Sequence, residues 1–223
     1  MTGPTRRAPR QAEAERNDRA LLRAAREVLA ADGAHASVAA IAARAGVGIG
    51  SLYRRYRTKE ELFQRLAALS LDSTIEAGER GLDAPDPWEG LAGFVTACAE
   101  FGQGSLGPIA GTIEVTEEMQ AKVGRSDELM TALVARAHEA GVLRPDVTAV
   151  DVSLLIEQLG RSPVLDQLRV RGRDDLVEAA VNARARLVAI AVDGLRATHT
   201  RPLPGHAPTP RLFTERWVHD TDG

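Results

Sequence analysis

The stretch ARAGVGIGSLYRRYRTKEEL, residues 43 to 62, constrains this chain more than any other. Its alternating glycines, Gly46, Gly48 and Gly50, are followed by Ser51 and then by Tyr53, Arg54, Arg55, Tyr56, Arg57 and Lys59. Glycines so placed can cradle a phosphate, that of a cofactor or that of a nucleic-acid backbone. A dinucleotide loop needs Gly-x-Gly-x-x-Gly directly after a β-strand, so that amides at a helix start meet the pyrophosphate. Here Ser51 occupies the last glycine position and the preceding segment is an Ala-rich helix pattern, so the cofactor reading fails on context.

The flanking periodicity supplies the alternative. Leu21, Leu22, Ala25, Val28 and Leu29 recur at helical spacing and predict an amphipathic helix over about residues 13 to 32. Ser37 can cap a short helix with Ala39 or Ala40, Ile41 and Ala45 inside, and Gly46 supplies the positive φ that ends it. A second short helix, Ile49 to Tyr56, follows with Leu52 and Tyr56 on one face. Thr58 and Glu61 form the pattern of a capping box that opens a longer helix carrying Leu62, Leu66 and Leu69. Two short helices around a glycine turn make a helix-turn-helix, in which the second enters the DNA major groove. The phosphate is then that of DNA.

Charge distribution agrees. The net charge is −3, but residues 1–65 carry +6 and residues 66–223 carry −9. A basic end on an acidic body lets one end alone approach a polyanion. Aromatics are 4% of the chain, and the abundance of Ala, Leu, Glu and Arg favours an all-α fold. The longest run without a charge, Phe101 to Ile113, is too short and too broken by Gly and Pro to span a bilayer. The N-terminus has no apolar core behind its arginines, and a single cysteine forms no internal disulfide, so a cytoplasmic protein without a membrane partner is expected. No cofactor or metal site is expected.

At these residues the sequence resembles the tetracycline-repressor (TetR) family of bacterial transcriptional regulators. The matching positions are Ala25, Ile41, Ala42, Ala45, Gly46, Val47, Gly50, Leu52, Tyr53, Lys59, Glu60 and Leu62, over about residues 15 to 66. Gly48 stands where the family usually has Ser or Thr, and Tyr56 where it usually has Phe. The resemblance implies phosphate contacts from Ser37, Tyr53 and Lys59, which would fix register. It leaves Arg44, Ile49, Ser51, Arg54 and Arg55 as candidates for base edges, arginine being suited to guanine. Arg6, Arg7 and Arg10 form a basic arm over residues 1–12 that either reaches the minor groove or makes no contact.

Residues 67–197 read as further helices. One starts at Pro87, another is expected to be capped by Ser126 and ended by Gly141, and the last two run from Thr148 to about Gly172, with a break near Pro163, and from Asp174 to Ala197. The last is apolar over a wide arc, so it is either the centre of its own domain or pairs with a second subunit. The resemblance favours a homodimer, which also suits a palindromic operator. Candidates for contacts with a mostly apolar effector are Trp88, Phe94, Cys98, Phe101, Met119, Met130 and Gln158, with Gln103 and His138 beside them; each also reads as an ordinary core residue. The Pro-rich tail, residues 198–223, is expected to be flexible, though Leu212, Phe213 and Trp217 could dock it.

The expected function is a ligand-responsive repressor released from its operator by a small molecule. The alternatives are a helical ligand-binding protein whose DNA-binding head is non-functional, and an all-α enzyme. No His-Glu-x-x-His, Gly-x-Ser-x-Gly or paired metal-ligand spacing supports the latter.

Overall fold

The computed structural model describes residues 7–32, 35–102, 113–198 and 201–209. Helix α1 (Arg7–Asp32) starts six residues before the expected position, so Arg7 and Arg10 belong to its first turns, while Arg6 lies outside the described residues. Short helices α2 (Val38–Ala45) and α3 (Ile49–Arg55) follow, and then the 25-residue α4 (Lys59–Asp83). The rest is α5 (Pro87–Glu100), α6 (Glu117–Glu139), α7 (Ala149–Gly160), α8 (Pro163–Val170) and, after a single 3-10 turn at Asp174–Leu176, α9 (Val177–Asp193).

There are two apolar cores, and α4 belongs to both. The first gathers Leu21, Leu22, Ala25, Val28 and Leu29 of α1 with Val38 and Ile41 of α2, Leu52 of α3, and Leu62, Phe63 and Leu66 of α4. The second collects Ala77 of α4 with Trp88, Leu91, Phe94, Val95 and Cys98 of α5, Leu133 and Ala137 of α6, Val152 and Ile156 of α7, and Val188 and Val192 of α9. At 1.5 Å per residue α4 is about 37 Å long, enough to run from one core into the other. Its second half needs glycines: a Cβ on Gly78 would lie 3.0 Å from that of Leu129, and one on Gly81 would lie 2.8 Å from the Gly90 carbonyl oxygen. Arg136 of α6 then serves the carbonyls left open where α4 ends, donating to Leu82 at 2.8 Å and to Ala84 at 2.6 Å.

Helix α6 corrects one expectation. Ser126 caps nothing; it lies within an unbroken helix whose N-cap is Thr116, accepting from the Met119 amide at 3.2 Å. Long packing against α4 holds the helix together across Gly124 and Ser126, with Lys122 on Asp72 at 2.7 Å and Arg125 on Glu79 at 3.2 Å. Pro163 breaks the helical run as expected, since its ring cannot continue α7, and Arg161 turns to extended backbone before α8 starts. Gly141, at φ 66°, ends α6 with the Val142 amide bonded back to the Ala137 carbonyl at 3.0 Å.

The start of the tail is not loose. Arg144 reaches Asp146 at 3.0 Å and the Arg201 carbonyl at 2.7 Å, and Asp146 accepts from the Leu203 amide at 2.8 Å. These bonds hold residues 201–203 on the body. Leu212, Phe213 and Trp217 lie outside the described residues.

Candidate nucleic-acid interface

Local chemistry fixes the turn between α2 and α3. Ser37 Oγ accepts from the Ala40 amide at 3.0 Å, and Gly46, at φ 69°, closes α2 while the Val47 amide returns to the Ala42 carbonyl at 3.0 Å. Val47 turns inward and packs on the first core with Tyr56. Gly48 is the N-cap of α3 and, having no side chain, offers no cap bond, the consequence of its standing where Ser or Thr is usual. Leu52 anchors α3 at 2% exposure, so the opposite face is free: Ile49, Ser51, Tyr53 and Arg54 are all exposed, Tyr53 at 51%. The seven-residue α3 therefore presents a compact set of an aliphatic, a hydroxyl, an aromatic and a cationic side chain.

The capping box at α4 is half formed as expected. Thr58 Oγ1 accepts from the Glu61 amide at 3.0 Å, but Glu61 returns to the Arg57 amide at 2.6 Å, one residue before the cap. Lys59 opens the helix with its ammonium 5.1 Å from the Phe63 ring centroid. A cation at a helix N-terminus opposes the macrodipole by about 0.3–1 kcal/mol, a cost that a bound anion would offset.

Two of the five candidate base readers are already engaged. Arg44 pairs with Glu27 at 3.1 Å across a half-exposed surface, worth about 0–1 kcal/mol and easily surrendered. Arg55 is held harder. It meets Asp18 of α1 at 2.7 Å, and Arg65 of α4 meets the same carboxylate at 3.0 Å. Asp18 is only 6% exposed, so freeing Arg55 would unbalance a buried charge. Beside this hub the Tyr56 hydroxyl is pushed above its ordinary range, chiefly by burial. Arg54, by contrast, is exposed and makes no ion pair among the described residues. Sequence reasoning missed Asp18; an acid on an otherwise basic stretch of α1 was its available signal.

The N-terminal domain model of bacterial regulatory proteins of the tetR family matches residues 21–66, and the C-terminal domain model of SbtR-like transcriptional regulators matches residues 86–197. The chain belongs to the TetR family. Solved relatives share its fold. The TetR transcriptional regulator SCO0520 of Streptomyces coelicolor is 22% identical with a TM-score of 0.53, over 82% of this chain and 99% of that one. A TetR regulatory protein of Mycobacterium vanbaalenii is 24% identical with the same TM-score, over 83% and 98%. A tetR-family protein of Rhodococcus RHA1 is 20% identical with a TM-score of 0.52, over 80% and 96%. A protein-L-isoaspartate O-methyltransferase of Ruegeria sp. (strain TM1040) is 27% identical over 135 residues; the chain spans about 60% of its length, and this partial likeness assigns no activity here.

In this TetR-family chain the sequence-based effector candidates fall in three places. Trp88, Phe94, Cys98 and Met130 are packed in the second core, and Met119 is buried in the first turn of α6. Phe101 and Gln158 are exposed, and His138 is bonded to the Arg144 carbonyl oxygen at 3.0 Å. Gln103 lies outside the described residues. None of the candidates among the described residues lines the cleft of about 210 Å³ between α5, α8 and α9, whose walls are Thr96, Glu100, Leu165, Val181, Arg184 and Val188 among others. Cys98 suits core packing better than redox sensing, because burial pushes its thiol up to about 12 and keeps it protonated. Arg184 ties three elements here, donating from α9 to the Ala99 carbonyl at the end of α5 and to the Leu159 carbonyl of α7 at 3.3 Å.

Proposed function

We infer that this chain is a DNA-binding transcriptional repressor that leaves its operator when a small molecule binds the body. The observation that carries the reading is α3: one buried leucine fixes it to the head while Ile49, Ser51, Tyr53 and Arg54 stand in solvent on the N-terminal segment that carries +6. Ser37 and Lys59 flank that face at the starts of α2 and α4, the places where helix amides also point at a phosphate. Tyr53, Ser37 and Lys59 then set register, Arg54, Ser51 and Ile49 read bases, and Arg44 joins them by leaving Glu27. Arg55 acts instead as the tether between α3 and Asp18. The exposure of Tyr53, Arg54 and Lys59 supports a functional head over a non-functional one.

The active species is a homodimer. Leu187 and Ile190 of α9 are 62% and 64% exposed, and Val164 of α8 is also in solvent, aliphatic groups that a second copy would cover. Two heads held that way read two half-sites about 34–36 Å apart, so the operator is palindromic. A link from body to head is present: the Glu114 amide bonds Glu60 Oε1 at 3.1 Å and Gln64 Nε2 bonds the Glu114 carbonyl at 3.0 Å, clipping the approach to α6 onto the first two turns of α4. Selecting bound fragments from the source genome with purified protein tests the reading. Enrichment of a shared inverted repeat is expected; recovery of sequences with nothing in common would overturn it.

A further inference from the structure

The guanidinium of Arg26 lies where a charged group should not be left alone. It sits on α1 among residues of the head core, is 9% exposed, and makes one hydrogen bond, to Ser70 Oγ of α4 at 3.1 Å. Its Nε is buried without a partner, and it forms no ion pair among the described residues. Arg80, a second cation close enough to act on the Cys98 thiol as Arg26 does, is paired with Glu76 at 2.8 Å. Residues 103–112, which follow α5, contain no acidic side chain that could serve Arg26. Burial pushes the guanidinium down to about 10, so it still carries its charge at neutral pH. An uncompensated buried cation costs several kcal/mol, and such groups cluster at functional sites, where an arriving anion would offset the cost.

We propose that Arg26 is the receptor for the anionic end of the effector, an apolar molecule terminating in one carboxylate, held jointly by Arg26 and the Ser70 hydroxyl. This rests on the regulator reading and deepens it. The free Nε–H and the terminal N–H groups offer a carboxylate the fork it accepts in two parallel bonds, and Ser70 can donate its hydroxyl proton to the same group. Thr74, one turn further along α4, is also buried and bonds the Ser70 carbonyl at 3.0 Å, so the polar level of α4 is already satisfied except at the incoming group. Arg26 is also near enough to the buried Cys98 of the second core to act on its thiol, so the apolar part of the molecule would have to be received by core side chains. The position also explains transmission. Arg26 is part of α1, whose Leu22, Ala25 and Leu29 pack the head, and Ser70 is part of α4, whose first residue is Lys59. An anion bridging them pulls on both helices that set where α3 stands, and by linkage DNA must weaken the anion by the factor by which the anion weakens DNA.

The experiment uses the full chain with sodium octanoate and sodium phenylacetate against octanamide and phenylacetamide, titrated by calorimetry. At least one carboxylate should bind about 10- to 100-fold more tightly than its own amide, the fold expected of a charge-assisted hydrogen-bonded pair. Arg26→Met should erase that preference, Arg26→Lys should keep part of it, and the carboxylate should weaken operator binding in the wild type but not in Arg26→Met. Unliganded Arg26→Met should melt no lower than wild type, since it removes an uncompensated charge; a purely structural arginine would lower the midpoint instead. The proposal is overturned if neither carboxylate outperforms its amide, or if Arg26→Met binds it as tightly as wild type. Either result with operator binding intact sinks the anion site alone, whereas a wild type that binds no operator sinks the regulator reading.

Discussion

Helices α3 and α9 both leave large side chains in solvent, and the kinds differ. The short α3 exposes Ile49, Ser51, Tyr53 and Arg54, a mixture of hydrogen-bonding, stacking and cationic groups around one buried leucine. The longer α9 exposes Leu187, Ile190 and Val181 while Val188 and Val192 face the body core. A surface of the first kind stays hydrated until it meets a polyanion with matching donors and acceptors. A surface of the second kind gains only by removing apolar area from water, which a second copy of the same face does at once. On the proposed reading recognition falls to α3 and assembly to α9, with α4 belonging to both cores.

The sharpest way to break that division is Leu187→Glu. It places a charge on the aliphatic face without touching the head, so sedimentation should show monomers. Operator affinity should fall about 10²- to 10⁴-fold because the second half-site is no longer held nearby. Operator binding that survives in a monomer would show that α9 does not serve assembly.

On the recognition side the test is a contrast between neighbours. Arg54→Ala should relax base preference at one position in each half-site, costing ~1–3 kcal/mol for the preferred sequence only. Arg55→Ala should weaken every sequence alike, because Arg55 is bound to Asp18 and its loss frees α3 to shift. Swapped outcomes would exchange the two roles. Asp18→Asn probes the same tether from the other side. It leaves Arg55 and Arg65 without their shared carboxylate, and since both arginines are about 40% exposed, the loss should be about 2 kcal/mol rather than the full cost of a buried unpaired charge. Thermal melting of the variant should show the loss, and undiminished operator binding would detach the hub from recognition.

Most of the head was legible in the sequence because its signals are local. Ser37, Gly46 and Thr58 cap or end helices by bonds within four residues, and Leu52 with Tyr56 follows from spacing on one helix. What escaped was non-local. Asp18 meets Arg55 and Arg65 across 37 and 47 residues, and nothing in the local pattern announces it; the one local departure is Glu61, which accepts from the Arg57 amide in place of the Thr58 amide. In the body the same holds for Ser126: with Gly124 it has the local pattern of a helix start, but packing along α4 carries α6 through both residues. The effector candidates were chosen by residue type, and burial then placed Trp88, Phe94, Cys98 and Met130 in the core.

The smallest expected effect lies where the tail meets the body. The Asp146 carboxyl is held down to about 2, first by the Arg144 guanidinium and then by the Leu203 amide. A depressed carboxyl contributes stability that is complete above its ordinary range near pH 4 and is lost as pH falls through about 2. Docking of residues 201–203 should therefore be constant from pH 5 to 8 and weaken only in strong acid. Asp146→Asn should reproduce the loss at neutral pH as faster hydrogen exchange at the Leu203 amide. Unchanged exchange would show that the tail is held by other contacts.

The claim that the head meets DNA through α3 and its flanking phosphate contacts is tested most directly by the salt dependence of operator binding, wild type against Lys59→Ala. The wild type should lose affinity steeply and linearly in log salt, and the variant should flatten the slope by about 0.9, the contribution of one phosphate contact. An unchanged slope for Lys59→Ala, or a wild type indifferent to salt, would contradict the account.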